Sequence, residues 1–147
     1  MGDELVGTWR LVSFVSYRAD GREINTFGPR PRGLLMYDPG GHMSVQIASS
    51  DRNFSDSDPA IHRDPESDDP LESYFGYFGR YTVNDSTATV THHVHASSDT
   101  GLDRTDQPRR IRWQGDHLVL STLPDEVNGT GITYVATWQR PRRDRNA

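Results

Sequence analysis

The segment Thr91-His92-His93-Val94-His95 gathers three imidazoles within four residues and is the densest polar cluster of the chain. In an extended strand successive side chains point to opposite faces, so His92 shares one face with Val90 and Val94, and His93 and His95 share the other with Thr89 and Thr91. With the first face inward, His92 is a lone imidazole between two valines. There it can act as a general base, anchor a ligand carbonyl, or bond a neighbouring tyrosine as a structural group. With the second face inward, His93 and His95 form a His-x-His pair suited to a metal, provided that His42, His117 or an acid on another strand supplies a third ligand. Both orientations stay open at this level.

Aromatic residues with a polar tip make the second constellation: Tyr37, Tyr74, Tyr77, Tyr81, Tyr134 and Trp113 lie in or beside strand-like segments. Such side chains suit orientation of an apolar ligand, although each can equally fill a core. Tyr81 alternates with Val83, and Tyr134 with Ile132, Ala136 and Trp138, which turns both inward and makes Tyr81 a second candidate for moving a proton. Arg109 falls on the face of Ile111 and Trp113, where it is either part of a solvated strand face or a group for a carboxylate or a developing enolate. The expected ligand contacts are Tyr37, Met43, Val45, Tyr77, Arg109, Trp113 and Tyr134, with His92 and Tyr81 as the catalytic pair. Sharper motifs fail. Asp51 to Asp56 opens like a calcium loop but lacks the glycine at its sixth position and has His62 rather than glutamate at its twelfth. No G-x-S-x-G, P-loop or dinucleotide fingerprint occurs.

The elements that must position these residues are strands. Thr8–Arg18, Glu23–Phe27, Leu34–Tyr37 and His42–Ile47 are rich in β-branched and aromatic residues and are separated by turns such as Asp38-Pro39-Gly40-Gly41. Further strands are expected over 79–83, 88–96, 109–113, 118–123 and 132–139. Residues 48–71 read as one long acidic loop, a lid or rim, with a short helix allowed from Pro70 to Tyr77. Residues 51–72 alone hold eight acids against two arginines. Residues 141–147 read as a flexible tail. About eight strands in up-and-down order, with little room for helix, predict an all-β single domain over 1–147. It closes as an eight-stranded antiparallel barrel, and an open sandwich is the competing architecture. Trp9, at the start of the first strand, and Arg140, after the last, are placed to stack across one end as a structural plug.

Composition excludes more than it assigns. The formal net charge is −5 over 147 residues, so no basic stripe for nucleic acid is present. All 16 basic residues are arginine, the pattern of a GC-rich genome, and cysteine is absent. Lysine Schiff bases, cysteine nucleophiles, disulfides and thiolate metal sites are therefore ruled out. The acidic start Met1-Gly2-Asp3-Glu4 lacks an apolar run of signal-peptide length, and no later run reaches membrane-spanning length. A cytoplasmic protein without a membrane partner is expected.

Seven stretches in order across nearly the whole chain then carry a resemblance: Leu5 to Leu11 (LVGTWRL), Gly33 to Tyr37 (GLLMY), Gly41 to Ser44 (GHMS), Tyr77 to Tyr81 (YFGRY), Val90 to Val94 (VTHHV), Asp116 to Ser121 (DHLVLS) and Trp138 to Arg140 (WQR). On these the chain resembles the lipocalin-like domain family of bacteria, calycin-type barrels that surround a small-molecule cavity. The resemblance implies a small apolar metabolite as partner, and it supports Arg140 as the structural partner of Trp9. Related barrels include passive carriers and cofactor-free enzymes that cyclise or isomerise natural products. The expectation is cofactor-free cyclisation or isomerisation of such a metabolite in a biosynthetic pathway, by a monomer or homodimer. A carrier or sensor is the alternative, and a metal or haem barrel a third.

Overall fold

Alternation of apolar and polar residues over short segments, interrupted by glycine turns, produces nine strands and almost no helix among the described residues. The computed structural model describes residues 2–50, 73–123 and 131–141. A four-residue helix, α1 (Gly2–Leu5), precedes β1 (Gly7–Tyr17), β2 (Glu23–Asn25), β3 (Arg32–Tyr37), β4 (His42–Ala48), β5 (Tyr74–Asn84), β6 (Thr89–Ser97), β7 (Asp106–Gln114), β8 (His117–Thr122) and β9 (Thr133–Gln139). β1 pairs with β2 and β3, each strand from β3 onward pairs antiparallel with the next, and β9 returns to β1. β2 and β3 occupy successive stretches of the same edge of β1, at Val15–Tyr17 and Gly7–Arg10. The ring therefore has eight staves. The β1–β9 pairing closes it and excludes the open sandwich.

One departure from the expected elements is local. Within the allowed helix, Tyr74 to Tyr77 is instead the start of β5: Phe75 pairs with Ile47 and Tyr77 with Val45, and both aromatic rings are buried. Aromatic residues at alternate positions gain more from this half-buried pleated surface than from an isolated helical turn. The expected loop over 48–71 lies outside the described residues from 51 onward, as does the tail from 142.

α1 and the β3–β4, β5–β6 and β7–β8 turns gather at one end of the barrel, and β1 enters there. Trp9 seals that end. Its ring is 2% exposed, its Nε1–H donates to the Leu5 carbonyl at 2.9 Å, and the Arg140 guanidinium carbon sits 3.7 Å from the ring centroid. Arg140 Nη2 in turn donates to the Glu4 carbonyl at 2.8 Å, tying α1 to the end of β9. Gly7 makes this approach possible: its φ is +122°, and a Cβ there would stand 2.6 Å from Arg140 Nη1. Gly7→Ala is expected to cost about 1–3 kcal/mol through backbone strain and displacement of the arginine, read as a lower urea midpoint.

Candidate functional site

The strand that carries the histidines resolves the two orientations left by the sequence. Val90, His92 and Val94 are buried inside the barrel, and His93 stands on the outer face. A register shift between β5 and β6 pairs Phe78 with Ala96 and Gly79 with Val94, so His95 is the extra residue of a bulge. The His-x-His metal pair is therefore not formed in the lumen. His93 Nδ1 is 2.8 Å from Asp106 and its Nε2 is 2.9 Å from Thr82, while the exposed His95 ring lies beside Phe78. His42 and His117 sit next to Asp38 and Asp116 near the plugged end. No group of three or more His, Cys, Asp or Glu among the described residues could hold a metal ion.

His92 is 3% exposed and held on both sides by tyrosines: Tyr37 Oη lies 2.6 Å from Nε2 and Tyr77 Oη 2.6 Å from Nδ1. Three elements supply the row. β3 ends at Tyr37, β5 presents Tyr77, and β6 runs beside β5 with His92 between the two hydroxyls. Burial pushes the imidazole pKa well below its ordinary value, and the charges of Arg109 and His93 add to the effect. Burial likewise raises both tyrosines, Tyr37 well above the usual phenol range with a further contribution from Tyr77. All three groups are neutral near pH 7.

Counting protons then gives the row a direction. A neutral imidazole has one N–H and one bare nitrogen, so two tyrosines and one histidine hold three protons for two hydrogen bonds. One hydroxyl proton is left over. If Nε2 carried the imidazole proton, Tyr37 would accept it and its own O–H would be stranded in the core, 2% exposed with no other bond. If Nδ1 carries it, Tyr37 donates to Nε2, Tyr77 accepts from Nδ1, and the spare O–H belongs to Tyr77, which lines the cavity. An unsatisfied buried donor costs about 1–3 kcal/mol, which selects the Nδ1–H tautomer.

The cavity occupies about 500 Å³. Phe14, Leu35, Val45, Ile47, Phe75 and Leu120 supply apolar wall, and Ala136 and Trp138 continue it towards the plug. His92, Tyr77, Arg109 and Tyr134 interrupt that wall with polar groups, and Gln107, Thr122 and the two acids Asp99 and Asp106 also line the space. Of the residues expected to contact a ligand, Val45, Tyr77, Arg109 and Tyr134 line this space and Tyr37, Met43 and Trp113 do not. Tyr37 stands behind His92, and Met43 is packed in the core across from Gly79. Trp113 faces inward too low on β7: it packs against Trp9 at 5.9 Å and is 36% exposed beside the plug. Tyr81, expected as a catalytic partner, also lies towards the plugged end. Its hydroxyl donates to the Asp38 carbonyl at 2.7 Å and its ring meets the edge of Tyr37.

Simple alternation along β1 does not turn Phe14 inward, because a bulge between Leu11 and Ser13 changes which residues face in. Trp9 and Leu11 point inward before it, and Phe14 and Ser16 after it. The alternation of burial switches parity within one strand, and no turn residue announces the switch.

A closed eight-staved antiparallel barrel, plugged at one end and hollow towards the other, defines the class of small-molecule-binding barrels. The chain belongs to the lipocalin-like domain family, whose model matches residues 6–141. It is 35% identical over 77 residues to the 4'-hydroxy-3'-methoxypropiophenone carrier protein ppsC of Aspergillus oryzae, a match that covers 48% of this chain and 69% of that protein. Among solved structures it is similar to a lipocalin-like protein from Bacteroides uniformis, at 14% identity and a TM-score of 0.48, over 93% of this chain and 99% of that one. A redesigned β-barrel is similar at 13% identity and the same TM-score, over 96% of this chain and 95% of that one.

Proposed function

We propose that this protein binds a small, largely apolar molecule that bears a carbonyl group, and that Tyr77 donates its spare hydroxyl proton to that carbonyl. The proton count in the Tyr37–His92–Tyr77 row carries the reading: the row ends in one unused donor, and that donor faces an otherwise mostly apolar cavity. A volume of about 500 Å³ suits a molecule of one or two rings. The Aspergillus relative is named for an aryl ketone of that size and polarity, which makes 4'-hydroxy-3'-methoxypropiophenone the first probe. Tyr77→Phe keeps the ring and deletes the donor, so affinity for the ketone should fall about five- to tenfold by titration calorimetry. Unchanged affinity would overturn the placement of the carbonyl.

A second reading is cofactor-free isomerisation or cyclisation in a biosynthetic pathway. Donation to a ketone oxygen acidifies the adjacent carbon, a water molecule admitted to the cavity would take the α-proton, and Arg109, which lines the same cavity, would hold the enolate that results. Full transfer of the proton is opposed by the same burial that raises both tyrosines, because the row would have to end in a buried tyrosinate. The reading favoured is therefore a carrier or sensor whose donor row polarises its ligand. Deuterium uptake at the α-carbon of the bound ketone separates the two: exchange that is fast in the native protein and lost in Tyr77→Phe supports catalysis, and unaccelerated exchange supports carriage.

A further inference from the structure

Arg109 poses a question that a neutral ketone does not answer. It enters from β7, is half-buried and lines the cavity, and its one side-chain hydrogen bond among the described residues goes to the neighbouring Pro108 carbonyl, 2.9 Å from Nη1. A guanidinium drawn partly out of water costs free energy unless an anion offsets it. The two acids of the cavity lining do not supply that anion. Asp99 accepts from the Gly101 N–H at 3.0 Å and caps a short helical turn, and Asp106 holds His93 at 2.8 Å on the outer face. Closer in stand His92 and the two tyrosines, all neutral, and the Arg109 charge disfavours protonation of His92. Among the described residues no carboxylate pairs with Arg109, and its guanidinium is left facing the cavity without an anion in contact.

We infer that the cavity selects anions: its occupant carries an ionised oxygen group, such as a carboxylate, sulfonate or delocalised phenolate, that pairs with Arg109 while its rings rest on Leu35, Ile47, Phe75 and Leu120. This rests on the reading of the lumen as a small-molecule site and names the charge of what enters it. The planar guanidinium can give such a group two parallel N–H bonds, which a point charge cannot. A molecule that combines a carbonyl with an ionised oxygen would engage Tyr77 and Arg109 together.

Two fluorescent probes with the same ring system test the charge alone: 8-anilinonaphthalene-1-sulfonate, an anion, and N-phenyl-1-naphthylamine, its uncharged counterpart. The native protein should bind the anion about ten- to a hundredfold more tightly than the neutral probe, the size of a charge-assisted bond. Displacement of both by 4'-hydroxy-3'-methoxypropiophenone locates them in the cavity. Arg109→Gln should bring the anion down to the affinity of the neutral probe and leave the latter within about twofold, while Arg109→Lys keeps part of the preference and Arg80→Gln on the outer wall changes neither. Equal binding of the two probes by the native protein, or an anion preference that survives Arg109→Gln, overturns the inference and leaves the cavity reading standing. Loss of both probes in Arg109→Gln assigns Arg109 a purely structural role and overturns it as well. Failure of the native protein to bind either probe overturns the cavity reading itself.

Discussion

Trp9→Ala is expected to lower the unfolding free energy by about 3–5 kcal/mol, the range for deleting a buried tryptophan. The indole is nearly inaccessible, is central to the plugged end, and bonds the last carbonyl of α1 through Nε1. Its removal takes away the surface on which Arg140 rests and the N–H donor that holds the Leu5 carbonyl of the short helix. Arg140→Ala should cost much less, about 0.5–1 kcal/mol, because that guanidinium still faces water and its contribution is screened. Urea unfolding of the two variants checks the ordering. Equal losses would mean that the arginine, rather than the ring, holds the end closed.

The plug was legible because its two residues sit at the outermost positions of the barrel, where a strand start and a strand end meet whatever the register between them. The strand order was legible for a similar reason: short apolar-alternating segments and glycine turns leave few ways to pair, and closure follows once eight staves are placed. Which face of the histidine strand turns inward was not legible, since alternation allowed the Val90–His92–Val94 face and the His93–His95 face alike, and only the burial of Val90, His92 and Val94 in the barrel decides it. The height of each residue along its stave was not legible. Tyr81 and Trp113 both point inward, as their alternation implies, yet both fall near the plug rather than the cavity. Period-two patterning fixes a face and is silent on depth, which depends on stagger between strands. The bulges at β1 and β6 hid Phe14 and dissolved the His93–His95 pair, because a single extra residue flips the faces that follow. The bond from Tyr37 to His92 spans 55 residues of sequence and has no local signature at all.

Acid should expose the buried row directly. His92 has a folded-state pKa well below its ordinary value because burial disfavours the imidazolium. The unfolded chain therefore binds a proton that the folded protein refuses once the pH drops below about 6.5. Stability from this group is complete above that pH and declines as the pH falls towards the folded-state pKa, with a limiting slope of about 1.4 kcal/mol per pH unit. His92→Phe, which roughly preserves the ring volume, should remove this part of the slope, measured as the difference between native and variant urea midpoints across pH 7 to 5. At pH 7 the same variant should be less stable by about 1–3 kcal/mol, because the Tyr37 hydroxyl then has no partner in the core. Tyr77 loses its partner too, but its hydroxyl borders the cavity and can be solvated there. Adding Tyr37→Phe to His92→Phe deletes the stranded hydroxyl and should recover much of that loss, since removing both partners of a buried bond costs less than removing one. A double variant as unstable as the sum of its parts would show that the two groups are not coupled, and the assignment of the spare proton to Tyr77 would fall with that coupling.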